Sequence, residues 1–282
     1  MMITEITEEN ISVCSELLPS ELRANLDREY FRGLYGEDDG EIIAVIIWEL
    51  KGAEDEKVPT KAEILCFTLT DAVDSDELMQ AFDHCIREEG VEEIGFELSE
   101  LNDIEMDALS EYGFDITEAE SMDIRVSVSD LTSLDMIRKD KKLPAYIKSL
   151  SDITARQYKA AIMTSVFHGR YGLLDDLPFL PMTRFDPDIS SCIITDEKVN
   201  GLILVHKTME NEYIVELLFA MQPDANINLL NMMRFSIKAA SRLCTGDETV
   251  ILRRHNTASA DLINKLFPDS MGEMIMKGER KL

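Results

Sequence analysis

Two hydrophobic rhythms alternate along the chain. Continuous β-branched runs predict strands buried on both faces, and apolar residues three or four apart predict helices. The first half reads as a short strand at Met2–Ile6, then helical segments from Glu8 to Leu18 and from Pro19 to Leu34. A turn at Gly36–Gly40 leads into a strand at Glu41–Leu50, and Ala62–Thr70 is a second such strand. Ser75 predicts an N-cap, with Asp76 and Glu77 in the first turn. Leu78, Met79, Phe82, Cys85 and Ile86 follow at helical spacing, and Gly90 ends the helix. Val91–Leu98 reads as a strand. Asn102, with Glu105 three residues on, opens a capping-box helix closed by Gly113-Phe114. Met122–Val128 reads as the last strand of this half.

The same order then recurs. A strand near Ala145–Leu150 precedes a helix from Ile153 to Phe167, capped by Ser151 or Asp152, and a segment punctuated by Pro178, Pro181 and Pro187. Strands are predicted at Ile189–Thr195, Val199–His206 and Tyr213–Met221, then a long helix from Ile227 to Cys244. A strand at Thr249–Arg253, a helix at Thr257–Phe267 and a strand at Glu273–Lys277 complete the second half. Landmarks keep their separation: Ala44 to Gly201 is 157 residues, Glu63 to Glu216 is 153 and Asn102 to Asn256 is 154. Near-equal offsets in one order predict two copies of one α/β unit. The charged run Arg138–Pro144 reads as the linker between residues 1–136 and 143–282.

Charge separates the copies. Residues 1–142 hold 38 acids and 12 bases, a net of −26, whereas residues 143–282 hold 17 acids and 16 bases, a net of −1. A chain of net charge −27 repels nucleic acid and anionic membrane, so neither is expected as a partner of the whole molecule. The longest apolar run, Ile42–Trp48, is far short of a membrane span, and the opening MMITEITEEN lacks the basic and apolar regions of a signal peptide. Five scattered cysteines without a CxxC motif fit reduced thiols in a cytoplasmic protein. Four dispersed histidines give no metal-ligand cluster.

The element order, the strands Glu41–Ile46 and Lys198–Ile203, the central strands Glu63–Phe67 and Glu216–Phe219, and the Asn102…Gly113-Phe114 spacing carry a resemblance. The chain resembles the GNAT superfamily of N-acetyltransferases in a tandem arrangement, an α/β fold with a mixed sheet. The resemblance implies transfer of an acetyl group from acetyl-CoA to a small-molecule or peptide amine. It implies a loop at a helix N-terminus for the pyrophosphate, where unpaired N–H groups favour an anion. In the second copy it places cofactor contacts at Leu218, Ala220, Asn226, Ile227, Asn228 and Asn256, with Glu216 as base.

Departures from that pattern matter. The first copy's loop, Thr70–Glu77, has no glycine and four carboxylates before its helix is under way, so this copy is expected not to hold coenzyme A. The second copy's loop, Met221–Asn228, also lacks the family's glycines but carries one acid. Asn226 and Asn228 there tolerate left-handed positions. Arg234, Arg253 and Arg254 are the nearby cations. Leu109 and Ile263 stand where the resemblance implies a tyrosine on the thiolate side, and His255 is the titratable substitute. Glu63 takes the place of Glu216 in the acidic copy. Three readings stay open: an enzyme whose second copy is active, a degenerate binding module for another ligand or a basic protein partner, and an α/β protein outside the family with an acidic interaction surface.

Overall fold

The structure is a computed structural model. It describes the 282-residue chain apart from residues 8, 15–16, 19–21, 23–30, 52–60, 71–74, 100, 139–141, 168–176, 209–210, 222–223 and 255–256. The chain divides into two compact units, Met1–Ser121 with Glu273–Leu282, and Met122–Gly272. The division therefore falls earlier than the expected linker at 138–144, and the last ten residues return to the first unit.

In the first unit the strands are β1 (Met2–Glu5), β2 (Phe31–Asp38), β3 (Glu41–Lys51), β4 (Lys61–Leu69), β5 (Glu93–Leu98) and β6 (Asp115–Glu120). The C-terminal strand β13 (Met274–Lys281) joins them, and the sheet order is β1-β2-β3-β4-β5-β13-β6. Helix α1 (Asp76–Glu88) connects β4 to β5, and α2 (Asp103–Glu111) connects β5 to β6. Strand β2 replaces the C-terminal part of the helix expected to reach Leu34. Its cause is the turn, since Asp39 (φ 49°) and Gly40 (φ 87°) form the two-residue positive-φ link that matches strand twist in a hairpin. Ser75 sits at the N-cap position but is helical and makes no side-chain cap bond. Trp48, Phe82, Phe96 and Phe114 fill the core, with Trp48 edge-on to Phe82 at 5.0 Å between ring centroids.

The second unit contains β7 (Asp123–Ser127), β8 (Ile147–Ser149), β9 (Ser191–Thr195), β10 (Lys198–Lys207), β11 (Tyr213–Ala220) and β12 (Thr249–Arg253). Its sheet order is β7-β12-β11-β10-β9-β8. The short helices α3 (Val128–Ser133) and α4 (Asp135–Arg138) follow β7, and α5 (Ala155–Phe167) follows β8. Helices α6 (Ala225–Leu243) and α7 (Thr257–Leu266) flank β12 in sequence. Helix α5 is capped by Thr154, not by Ser151 or Asp152: Thr154 Oγ1 accepts from Gln157 N, and Gln157 Oε1 accepts from Thr154 N. Strand β7, expected to close the first copy, pairs antiparallel with β12. Apolar clusters cover both faces of this sheet.

The duplication survives as topology. In each unit three antiparallel strands lead to a parallel pair, β4 with β5 and β11 with β12, followed by an antiparallel neighbour. Irregularities repeat as well. The β2–β3 ladder skips Ile43 and the β9–β10 ladder skips Asn200, again 157 residues apart. Asp196 (φ 51°) and Glu197 (φ 61°) repeat the two-residue hairpin turn. The charge split also persists: the first unit has 36 acids and 10 bases, the second 19 and 18.

Candidate functional site

Parallel strands β11 and β12 stay in register only at Tyr213–Val250 and Ile214–Ile251. Beyond Ile214 they part, and β11 runs on through Val215–Ala220 bonded to β10 alone. Met221 N donates to Asn200 O at 2.9 Å, so by strand alternation the N–H groups of Ala220 and Leu218 face away from β10, into the gap. Two residues expected to contact a cofactor thus present their backbones to the cleft.

A cavity of about 130 Å³ lies in this gap. Val215, Leu218, Met233, Ile237, Leu262 and Leu266 give it apolar walls from β11, α6 and α7, and Glu216 and Ser259 add polar groups. Glu216 occupies a β-bulge: Leu204 pairs with Leu217 and Val205 with Val215, leaving Glu216 without an opposite residue. Glu216 is buried, only 3% exposed. Its Oε1 lies 2.7 Å from Nδ1 of His206, also buried, while the buried Oε2 has no hydrogen-bond partner among the described residues. His206 is the functional candidate that sequence reading passed over; a histidine ending the apolar run Leu202–Val205 was the available signal. At the closed end of the cleft the Tyr213 phenol is pushed well above its ordinary range, first by burial and then by its hydrogen bond with Cys244. It is a neutral hydroxyl at physiological pH.

The bulge register corrects the pairing of Glu63 with Glu216. In the first unit Ile47 pairs with Cys66 and Trp48 with Ile64, so the bulged residue is Leu65. Glu63 instead forms an ion pair with Lys51 on the neighbouring strand. The first unit also fills its own strand edge. Thr70 N donates to Ile43 O, which turns Leu69 N toward the gap. There Glu105 Oε1 accepts from Leu69 N at 2.9 Å while Oε2 accepts from Asn102 N at 2.9 Å. Glu105 is 5% exposed. At the offset of Asn102 and Asn256, its counterpart in the second unit is Ser259, a far shorter side chain.

The helix N-terminus departs from expectation. Asp224 takes the left-handed position (φ 61°), while Asn226, Ile227 and Asn228 lie in the first turn of α6. Ile227 is exposed, and Asn228 Oδ1 accepts from the Tyr146 hydroxyl at 3.2 Å. Arg234 is buried and donates from Nε to Met136 O, so it is withdrawn from the loop. Arg253 pairs with Asp123 at 2.9 Å, and Arg254 Nε donates to Met122 O. Both arginines are spent on β7 and its approach. Leu109 and Ile263, at the positions implied for tyrosine, are core residues. His255 and Asn256 lie outside the described residues, as do 71–74 of the first copy's loop. Among the described residues no group of acids, histidines and cysteines is placed to hold a metal, and no helix is long and apolar enough to cross a membrane.

Solved structures share this architecture. A tandem GNAT protein of the clavulanic acid biosynthesis pathway, solved without AcCoA, superposes with a TM-score of 0.63 at 9% identity, covering 99% of this chain and 98% of that one. The chain has the tandem GNAT fold. A conserved protein of unknown function from Enterococcus faecalis gives a TM-score of 0.52 at 10% identity, over 98% of this chain and 71% of that one. The C-terminal domain of a protein described as a lysylphosphatidylglycerol synthetase, from Agrobacterium fabrum, gives 0.52 at 12% identity over 96% and 91%. No protein-family model and no curated protein sequence matches the chain. At these identities the GNAT likeness is one of fold.

Proposed function

We propose that the chain is an N-acyltransferase of the GNAT type, moving an acyl group, acetyl in the simplest case, from coenzyme A to an amine, with the second unit as the active copy. The observation that supports this most is the contrast between the two strand edges. The second unit offers Leu218 and Ala220 N–H groups in an apolar cleft beside a buried carboxylate, and the first fills the same edge with Glu105.

In this reading the extended arm of the thioester lies along β11 and accepts hydrogen bonds from the Leu218 and Ala220 backbones, as an added strand would. A backbone N–H at the bulge polarises the thioester carbonyl and stabilises the oxyanion. Glu216 Oε2 takes the proton that the attacking ammonium must lose, directly or through water, while His206 holds Oε1 in place. Nitrogen bonds to the carbonyl carbon, the C–S bond breaks, and the thiolate leaves to take a proton from solvent. The acidic first unit raises the local concentration of a cationic amine.

Titrating the full chain with coenzyme A and with acetyl-CoA while following Tm tests the binding step. Ligand at about 100 times Kd stabilises by roughly 2.7 kcal/mol. Glu216→Gln is expected to lower turnover on an accepted amine about 100-fold or more while leaving Tm within a few degrees. Unchanged turnover removes Glu216 from the chemistry.

Asp224 at the head of α6 and the withdrawn arginines favour a second reading. In that reading the fold is a catalytically degenerate binding module for another ligand or a basic protein partner. The absence of any Tm shift with either coenzyme A or acetyl-CoA selects it.

A further inference from the structure

The cavity reaches further than an acetyl group needs. Ala220 and the bulge at Glu216 are four residues apart, about 13 Å of extended strand, and Tyr213 lies about 10 Å beyond the bulge. The cavity is lined on that far side by Tyr213, Val250 and Ala240, at the end of the sheet where β11 and β12 are still paired. Ala240 is 15 residues into α6, about 22 Å from the N-terminus at which an anion would sit. A thioester laid along β11 therefore brings its carbonyl to the bulge with apolar space still ahead of it.

The first unit shows how this fold closes that space. By the shared bulge register Trp48 corresponds to Val205, since Trp48 pairs with Ile64 and Val205 with Val215 at the same step past the bulge. Trp48 is 1% exposed and packs on Phe82, filling the core under the first sheet. Val205 lines the cavity of the second unit. One position thus carries the largest side chain in the closed copy and a small one in the open copy. Packed interiors leave few voids larger than a water molecule, and the walls of this one, apolar apart from a few groups such as Glu216 and Ser259, suit an apolar guest.

We infer that the cavity beyond Glu216 receives the acyl chain of the donor, and that the donor is an acyl-CoA several carbons longer than acetyl-CoA. This rests on the reading of the second unit as the acyl-CoA site. The test is isothermal titration of the full chain with coenzyme A, acetyl-, butyryl-, hexanoyl- and octanoyl-CoA. Affinity is expected to rise about fourfold per buried methylene and to level off when the cavity is full. Val205→Phe is expected to flatten that dependence. Val205→Ile, a smaller filling that the core tolerates more easily, is expected to shorten the preferred chain, with far-UV circular dichroism checking the fold of both. Coenzyme A and acetyl-CoA binding as tightly as the longer thioesters would overturn the inference and leave the proposed function standing. If neither coenzyme A nor any thioester binds, the acyl-CoA reading of this unit falls, and the inference with it.

Discussion

Glu105 offers the sharpest stability experiment. Its carboxylate joins the helix start at Asn102 to the strand edge at Leu69 through two N–H···O bonds, both 2.9 Å, while Glu105 N donates to Asn102 Oδ1. A hydrogen bond to a charged group contributes about 1.5–3 kcal/mol, and a buried donor left without a partner costs about 1–3 kcal/mol. Glu105→Ala strands Leu69 N in a buried position, whereas the half-buried Asn102 N regains water. The expected loss is about 2–4 kcal/mol. Glu105→Gln keeps one carbonyl acceptor but turns an NH₂ group toward the other donor, so its loss is smaller, about 1–2 kcal/mol. Trp48 is the single tryptophan of the chain and sits in the core of the same unit, so its fluorescence reports this unit's unfolding in urea. With m of about 2 kcal/mol/M the Ala midpoint falls by about 1–2 M and the Gln midpoint by less. An Ala variant whose midpoint stays within about 0.3 M of the parent at unchanged m would refute the role assigned to this carboxylate.

Further outcomes are expected elsewhere. Deleting residues 273–282 removes β13 from between β5 and β6, so Trp48 fluorescence should show a destabilised first unit. Gly278→Val should act in the same direction, because a Cβ at Gly278 would fall on the ring of the buried Phe96; unchanged midpoints for both would contradict the observed pairing. Burial pushes the Cys192 thiol up to about 12, and its Sγ donates to Ser149 O. It should resist alkylation at pH 8 in the native protein and react only on unfolding, as peptide mass spectrometry would reveal. Asp130, hydrogen-bonded by the Ser127 hydroxyl and backbone at the start of α3, is held below its ordinary value. Its stabilising contribution is therefore present above the unfolded pKa of about 3.9 and is lost as pH falls through the lower folded value. Asp130→Asn should flatten the acid limb of the second unit's stability curve below about pH 4. The group is solvent-accessible, so the change is small.

Periodicity alone carried the order of strands and helices through most of the chain, because a strand buried on both faces and a one-sided helix leave different spacings. The 157-residue repeat from Ala44 to Gly201 is likewise local information, and the bulges at Ile43 and Asn200 confirm it in three dimensions. The capping box at Asn102 and Glu105 was legible because both ends of its hydrogen bonds lie within one helical turn. The reach of Glu105 across to Leu69, 36 residues earlier, was not, since nothing local to either residue encodes it. The Asp39-Gly40 turn was present in the sequence, yet the helical rhythm assigned upstream concealed strand β2.

Tertiary structure alone decided the strand exchange. The runs at 123–127 and 274–281 read as strands in any context, but which sheet each completes depends on which edge the folded chain leaves open. It also decided the site. Glu63 and Glu216 stand at similar places in sequence, and only the bulge register shows that the first is a surface ion-pair partner while the second is buried against His206. A bulge sets one residue outside the regular ladder: Glu216 is that residue, whereas Glu63 lies two positions before its equivalent, Leu65, and pairs regularly with Glu49. That difference exists only once two strands are paired.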